Sequence, residues 1–306
     1  MDSLDKKTRG SGMKWVKTIA LFTGLLWIPT AMTEIYRCLD NRGQVLFTDR
    51  VELCPAERSS VRAQQKRRRV NRQFISQIPD LLQTHPLADF LKGGQNYCAP
   101  AAVANSLSWL SGKKSVDDQI HLAGRLANPR YMNSAEKGTT PSALLNGVDT
   151  YFKDHGQRPK KLAFQGWRSV PAKYRRAAGS QIDLNWLADG ISESSAVWLN
   201  VGWYKQTSVG NHFERIGGHW VTLVGYELNN ADGPENRLIV HDPAPRSGVE
   251  FANEYVTLEQ QRNGFLVDKD HQRKQRLSGL YRMSGGMHVS ERADFALLDG
   301  AVRLDM

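Results

Sequence analysis

Cysteine is scarce in this chain of 306 residues, which contains only Cys38, Cys54 and Cys98. If Cys38 and Cys54 pair with each other, Cys98 is left as the one free thiol. A single free cysteine with a histidine and an aspartate far downstream suggests a nucleophile, whereas a cysteine taken in isolation is as readily a buried core residue. The cysteine content therefore directs attention to Cys98 and to its surroundings in the sequence.

Patterns that bind metals or nucleotides are also absent. The eight histidines include no H-E-x-x-H or H-x-x-x-H spacing, and the chain has no phosphate-binding loop and no internal repeat. One group of side chains remains as an alternative metal site: His212, His219, His241 and Asp242. Because neighbouring residues of a strand point to opposite faces, His241 and Asp242 are not expected to face one ligand. No cofactor is predicted.

Long apolar runs are missing after the first thirty residues, so no later segment reaches the roughly 20 apolar residues of a membrane-spanning helix. Residues 1–33 themselves are typical of an export signal. Lys14 and Lys17 precede an apolar run at 18–28, Pro29 ends that run, and residues 31–33 offer a cleavage site. We expect a periplasmic or secreted protein, with an uncleaved anchor in the inner membrane, facing the periplasm, as the alternative.

The net charge of +10 is concentrated in part at residues 57–73, which include the run Lys66–Arg69. This segment is rich in Arg, Gln, Ser and Asn and poor in large apolar residues, so it is predicted to be an exposed linker. It is either a solvated spacer or a contact for an anionic surface such as lipid, nucleic acid or cell-wall polymer. No specific nucleic-acid recognition is predicted.

Residues 34–56 form a two-strand pattern. Apolar stretches at 35–39 and 44–48 flank the turn cluster Asp-Asn-Arg-Gly at 40–43. Cys38 and Cys54 bracket this hairpin, and in an oxidising compartment a disulfide between them would stabilise the small unit by about 3 kcal/mol. The stretch resembles a small exported proteobacterial domain of unknown function, and six residues carry the likeness: Tyr36, Asp40, Gly43, Phe47, Thr48 and Asp49.

Residues 74–306 are predicted to form one α+β domain, because helical patterns come first and antiparallel-type strands follow. Helices are expected at 99–110, 116–127, 141–154 and 183–191, and strands at 196–204, 220–228, 237–241, 255–259 and 278–283. The aromatic residues of the strand region, Trp198, Trp203 and Tyr204, are expected in the core or in a cleft wall rather than as a platform for sugars or bases.

Three residues follow each other in an order typical of thiol catalysis. Cys98 stands at the start of an amphipathic helix, where the helix dipole favours a thiolate. His219 opens an apolar strand after two glycines, and Asp242 ends the next strand. If these strands are antiparallel neighbours, Asp242 lies beside His219 and can fix its tautomer. Each residue alone has an ordinary structural explanation: a core cysteine, a satisfied strand histidine or an Asp-Pro turn.

The segments around these residues, Q-x-x-C-x-P-A-A at 95–102, G-H-W-V at 218–221 and H-D-P at 241–243, resemble the papain-like cysteine peptidases. Within them the likeness is to the bacteriocin-processing (double-glycine leader) peptidase-like family. It implies a papain-like fold in which Cys98 is the nucleophile, His219 the general acid and base, Asp242 the orienting residue and Gln95 the side-chain donor of the oxyanion hole.

The chain departs from that family in two places. Ala99 stands where members usually have glycine, and Lys92 stands where the oxyanion glutamine commonly lies, which leaves Gln95 as the available donor. The sequence thus predicts an exported cysteine peptidase that acts on a peptide or protein substrate through a Cys98 thioester. A papain-like acyl transferase and a non-catalytic binding module are the alternatives.

Overall fold

The computed structural model describes residues 71–176, 181–208, 210–228, 236–245, 254–267 and 274–306, together with the backbone of two short strands at 36–39 and 45–48. Contacts divide the chain into two units, residues 1–65 and residues 66–306. The predicted export signal, the predicted linker up to residue 70 and the predicted Cys38–Cys54 disulfide lie outside the described residues.

The first unit contains the hairpin expected from the turn cluster. Strand β1 (Tyr36–Leu39) pairs antiparallel with β2 (Val45–Thr48), with Tyr36 opposite Thr48 and Leu39 opposite Val45. The two strands therefore lie where the sequence pattern predicts them, on either side of the turn cluster.

The helices of the second unit begin where capping residues allow. The described helices are α1 (Cys98–Leu110), α2 (Val116–Ala127), α3 (Ser134–Lys137), α4 (Pro141–Asp154) and α5 (Leu184–Ala188). Helix α2 starts after Ser115, whose hydroxyl accepts the Asp118 N–H, and α4 starts after Thr140 with proline in its first turn. The bounds of α2 and α4 agree with the prediction, whereas α5 is shorter than predicted and α3 was not predicted.

The strands of this unit are more numerous than the sequence pattern indicates. The described strands are β3 (Asn71–Phe74), β4 (Lys161–Gly166), β5 (Ser195–Gln206), β6 (His212–Leu228), β7 (Asn236–His241), β8 (Glu254–Gln260), β9 (Phe265–Val267), β10 (Lys274–Arg276), β11 (Tyr281–Gly285) and β12 (Phe295–Asp305). Strand β3 pairs with β6 and takes up residues 71–73, which the sequence pattern places in the linker.

Six strands close into a ring. Strand β6 pairs with β5 and β7, β5 with β12, β12 with β11, β11 with β8, and β8 with β7 again, and every pairing is antiparallel. Strand β4 adds to β12 outside the ring. The α+β class is therefore confirmed, and its sheet is a closed barrel rather than an open layer.

Alternation along β5 shows how the two cores form. Val197, Leu199 and Val201 belong to the apolar cluster inside the ring, to which the other five strands also contribute. Trp198, between them, belongs instead to a second cluster with the helices, and its indole N–H donates to the hydroxyl of Ser106 on α1, 3.1 Å away. The period of two thus sends one face of β5 into the barrel and the other against α1.

Helix α1 is the central helix of the outer layer. Residues 99–108 are all buried, and the helix packs against β5 and β6. Its small alanines allow this close approach, and the hydroxyl of Thr222 on β6 donates to the carbonyl of Ala102 at 2.9 Å. The start of α1 is thereby fixed relative to β6. Within the described ranges, no helix has the length and apolar character needed to cross a membrane.

Candidate active site

Cys98 is the first residue of α1 and is half-buried, while the residues that follow it are fully buried. It is not part of a disulfide. The first four N–H groups of a helix have no acceptor within the helix, and they give its start a partial positive charge. The Cys98 sulfur therefore lies at the positive end of the helix, and the Cys98 N–H is one of these donors without an acceptor in the helix.

The strands carry His219 and Asp242 to the same place. Strands β6 and β7 are antiparallel, with Thr222 opposite His241, so the start of the buried part of β6 faces the end of β7, as the sequence analysis predicts. Nε2 of His219 lies 2.5 Å from Oδ1 of Asp242. Both side chains are 4% exposed, so water hardly competes for this hydrogen bond.

The Asp242 carboxylate receives two further hydrogen bonds from backbone groups. The Ala244 N–H donates to Oδ1 at 2.8 Å, and the His288 N–H donates to Oδ2 at 2.6 Å. Buried charges need such partners because they have lost their hydration. The carboxylate is thus held in one orientation, facing the imidazole.

Opposing effects determine the charge of this pair. Burial lowers the pKa of His219, but the charge and hydrogen bond of Asp242, followed by those of the Cys98 side chain, outweigh it and raise the pKa from the ordinary 6.5 to about 10. Burial raises the pKa of Asp242, but His219 and the N–H donors outweigh it and hold the pKa below its ordinary value. His219 is therefore an imidazolium at neutral pH, and the Cys98 side chain is one of the groups that favour this charge. Because Asp242 occupies Nε2, Nδ1 is the nitrogen left for the sulfur.

The segment before Cys98 is held in an unusual conformation. A short 3-10 turn, Leu91–Gly94, contains Lys92 and Gly93 with φ of 55° and 62°. Lys92 has its ammonium 2.9 Å from the Glu136 carboxylate, so this side chain is tied to α3. Gln95 follows the turn and is exposed. Gln95, and not Lys92, therefore offers an exposed side-chain amide as a donor for the oxyanion.

The buried residue Gln83 holds this segment in place through hydrogen bonds, an arrangement called the brace below. Its Nε2 donates to the carbonyls of Gly94 at 3.2 Å and Gln95 at 3.0 Å, and its backbone N–H donates to the carbonyl of Pro243 at 2.8 Å. Gly94 has φ of 77°, and a Cβ at that position would lie 1.8 Å from the Gln83 carbonyl oxygen. One buried residue thus connects the segment before Cys98 with the turn that follows Asp242.

The two glycines before His219 have separate roles. A Cβ on Gly218 would lie 2.0 Å from the Arg215 guanidinium and 2.7 Å from the Val201 carbonyl oxygen, so glycine allows both groups to approach this strand closely. A Cβ on Gly217 would lie 2.7 Å from Cε3 of Trp203, so Gly217 leaves room for that ring. Trp203 in turn stacks on His219, with 6.0 Å between ring centroids and 20° between planes.

Other predicted residues lie elsewhere. Trp198 and Tyr204 are fully buried in the core, while half-buried Trp203 is a wall of the site. His241 is buried and its Nδ1 contacts the Pro79 carbonyl, and His212 packs edge-on against Phe265. The alternative metal cluster is not assembled, since no three His, Cys, Asp or Glu residues in the described part of the chain are grouped as metal ligands.

Gln83 and His288 are residues of this site that the sequence patterns did not indicate, whereas Trp203 was expected in the core or in a cleft wall. Gln83 donates hydrogen bonds to three backbone carbonyl groups, and His288 donates one from its backbone N–H. No sequence motif therefore marks either residue. For Trp203 a signal exists, because the glycine pair at 217–218 indicates that something bulky approaches the neighbouring strand.

Two family models match the chain. The model described as Peptidase_C39 like family matches residues 73–263, and the model described as Domain of unknown function (DUF4124) matches residues 24–71. Both resemblances noted in the sequence are therefore confirmed at the level of the family. No curated protein matches the chain. Cys98, His219, Asp242 and Gln95 all lie inside the first match, whereas His288 lies beyond its end.

Proposed function

The chain belongs to the Peptidase_C39 like family, a family of the cysteine-peptidase type, and on that premise we propose that it hydrolyses a peptide or isopeptide bond through a thioester on Cys98. The observation that carries this proposal is the buried pair of His219 and Asp242 beside the start of α1. That arrangement keeps a protonated imidazole within reach of a half-buried thiol at neutral pH.

In the first half of the reaction, the Cys98 thiolate attacks the carbonyl carbon and forms a C–S bond. The His219 imidazolium gives its proton to the leaving nitrogen as the C–N bond breaks. In the second half, water attacks the thioester and its proton passes to His219. The C–S bond then breaks, the acid product leaves, and the thiolate–imidazolium pair is restored. Asp242 keeps the ring oriented and stabilises its charge throughout.

The oxyanion formed in each half needs donors near the start of α1. The Cys98 N–H is one, because it has no acceptor within the helix. The exposed Gln95 amide is the proposed second donor, since the brace from Gln83 fixes the Gln95 carbonyl and leaves its side chain outside. We further propose that the protein is exported, on the basis of the signal-like residues 1–33, with a Cys38–Cys54 disulfide in the hairpin unit.

Alkylation of the full chain with iodoacetamide tests the reactive pair. We expect selective labelling of Cys98 at pH 7, located by peptide mass spectrometry, and a loss of at least about tenfold in labelling rate in His219→Gln. His155→Gln is the matched control, because that histidine is exposed and remote from the site in sequence and contacts. Circular dichroism establishes that each variant is folded.

Turnover is tested separately with a mixed peptide library and mass spectrometry of the products. We expect cleavage that disappears in Cys98→Ala. An unreactive Cys98 in the folded protein would contradict both the peptidase and the acyl-transferase interpretation and would leave a binding module. Acyl transfer in place of hydrolysis would appear as products in which an added amine replaces water.

A further inference from the structure

A pocket of about 720 Å³ opens beside the proposed catalytic pair, a size ordinary for ligand-binding clefts. Its apolar wall consists of Trp203 and Ile216, and its charged lining of Lys205, Glu291, Arg292 and Asp294. Trp203 is the link to the site, because the same ring stacks on His219. The His288 ring, 5.4 Å from Trp203 and 5.9 Å from His219, borders both.

An irregularity in the sheet builds the apolar wall. Trp203 on β5 faces Gly217 on β6, but the next residue, Tyr204, faces Arg215, so Ile216 is the extra residue of a β-bulge. Bulges redirect side chains and are frequent beside active sites. Ile216 is 38% exposed, one of few large apolar side chains so exposed in the described part of the chain. Ile216 and Trp203 together form the apolar part of the pocket lining, where an apolar side chain of a bound molecule can pack.

The chemistry assigns a side of the reaction to this pocket. The acyl part of the substrate stays bonded to the Cys98 sulfur, whereas the leaving nitrogen must lie at the His219 ring to receive its proton. A pocket that begins at the tryptophan stacked on His219, and whose lining does not include Cys98, therefore suits the leaving group better than the acyl group. Two cationic and two anionic side chains line it, which suits a neutral polypeptide better than a polyanion.

We propose that this pocket binds the part of the substrate that carries the leaving amine, an oligopeptide segment with an apolar side chain next to that amine. The apolar side chain packs between Trp203 and Ile216, and the charged rim receives the polar groups of the following residues. The proposal rests on the proposed function and adds its substrate class on the amine side. The apolar wall lies inside the family match, whereas the rim residues at 290–294 lie beyond its end.

Amine capture tests the subsite without knowledge of the acyl group. The full chain is acetylated on Cys98 by p-nitrophenyl acetate, and nitrophenolate release is followed with Leu-Ala-amide or glycinamide added. In capture the amine attacks the thioester, a C–N bond replaces the C–S bond, and the amine's proton passes to His219. Because the same site that releases an amine must bind one in reverse, Leu-Ala-amide should capture the acetyl group with saturation and glycinamide without it.

The Ile216→Ser variant removes the apolar wall and leaves the thiol and its partners in place. We expect the half-saturating concentration of Leu-Ala-amide to rise at least about tenfold, as loss of one buried aliphatic contact implies, with the rate of hydrolysis by water unchanged. Val116→Ser, an exposed β-branched residue at the start of α2, is the matched control and should change neither. Arg292→Ala should weaken capture without affecting hydrolysis, because it alters only the rim.

The outcomes separate the two proposals. Absence of a nitrophenolate burst that depends on Cys98 would overturn the proposed function and the subsite together. A normal burst in which both amines capture equally, or in which Ile216→Ser behaves like wild type, would overturn the subsite alone.

Discussion

The side-chain amide of Gln83 donates to the carbonyl of Gln95 while the backbone N–H of Gln83 donates to the carbonyl of Pro243. One residue, 6% exposed, thereby ties the segment before Cys98 to the turn after Asp242. We therefore expect the separation between Cys98 and Asp242 to depend on this brace as well as on the sheet. Its contribution can be measured, because the side chain contacts no reacting atom.

Gln83→Leu keeps the volume but removes both donors to the carbonyls of Gly94 and Gln95. We expect a loss of about 1–3 kcal/mol in the free energy of unfolding, since buried carbonyls lose their partners, and a fall of roughly 100-fold in turnover through misplacement of the start of α1. Gln157→Leu, at an exposed glutamine, should change neither. A normal rate of Cys98 alkylation and turnover in a destabilised Gln83→Leu protein would show that the brace only supports the fold.

Gly93 and Gly94 provide a matched pair for the conformation of the same segment. Both have positive φ, 62° and 77°, so alanine at either position has similar backbone strain. A Cβ on Gly93 meets nothing within 4 Å, whereas one on Gly94 would lie 1.8 Å from the Gln83 carbonyl oxygen. We expect Gly94→Ala to be less stable than Gly93→Ala by about 1–3 kcal/mol in urea unfolding. Equal stabilities would contradict the described packing of the brace.

The charge on His219 should depend on Asp242. Replacing the carboxylate by a neutral amide in Asp242→Asn removes the anion that favours the imidazolium, so the pKa of His219 should fall by about 1 unit or more from its raised value. The 15N shifts of the ring, followed between pH 5 and 11 and assigned by comparison with His219→Gln, report this directly. An unchanged titration would mean that Asp242 orients the ring without stabilising its charge.

The same pair affects stability in a defined pH range. Because the pKa of His219 is raised, its stabilising contribution is complete below the unfolded value of 6.5 and is lost as pH rises toward about 10. The free energy of unfolding should therefore decline between pH 6.5 and 10 more steeply in wild type than in Asp242→Asn. Asp189→Asn, at an exposed helix end, serves as the control and should retain the wild-type slope.

The sequence was most informative where local patterns and neighbouring strands suffice. Helical patterns placed α2 and α4, and two consecutive strands with His219 at the start of one and Asp242 at the end of the other predicted the contact between these two residues. Both inferences need only short-range chemistry and the antiparallel pairing of adjacent strands. The contact between α1 and this pair relied on the order of the motif.

Strand β12 shows what local patterns could not supply. Its sequence carries Asp299 and Gly300 in the middle, where a strand pattern would be interrupted. In the structure a register shift falls at this point, and the buried carboxylate of Asp299 accepts hydrogen bonds from Trp167, Tyr204 and Arg215. Such a polar centre is tolerable only when those distant partners are in place, so no window of the sequence reveals it. For the same reason, no window of the sequence reveals His288 or the pocket residues at 290–294.

The late position of β12 in the sequence also determines when the site can assemble during translation. Cys98, His219 and Asp242 all leave the ribosome before His288, whose N–H orients the carboxylate, and before β12, which closes the ring between β5 and β11. A nascent chain folds from its earlier segments onward. The ring of six strands nevertheless stays incomplete until β12, which ends at Asp305, has been synthesised. Cys98 is therefore synthesised before the structure that would activate it as the proposed nucleophile, and an incomplete chain has the thiol without that structure.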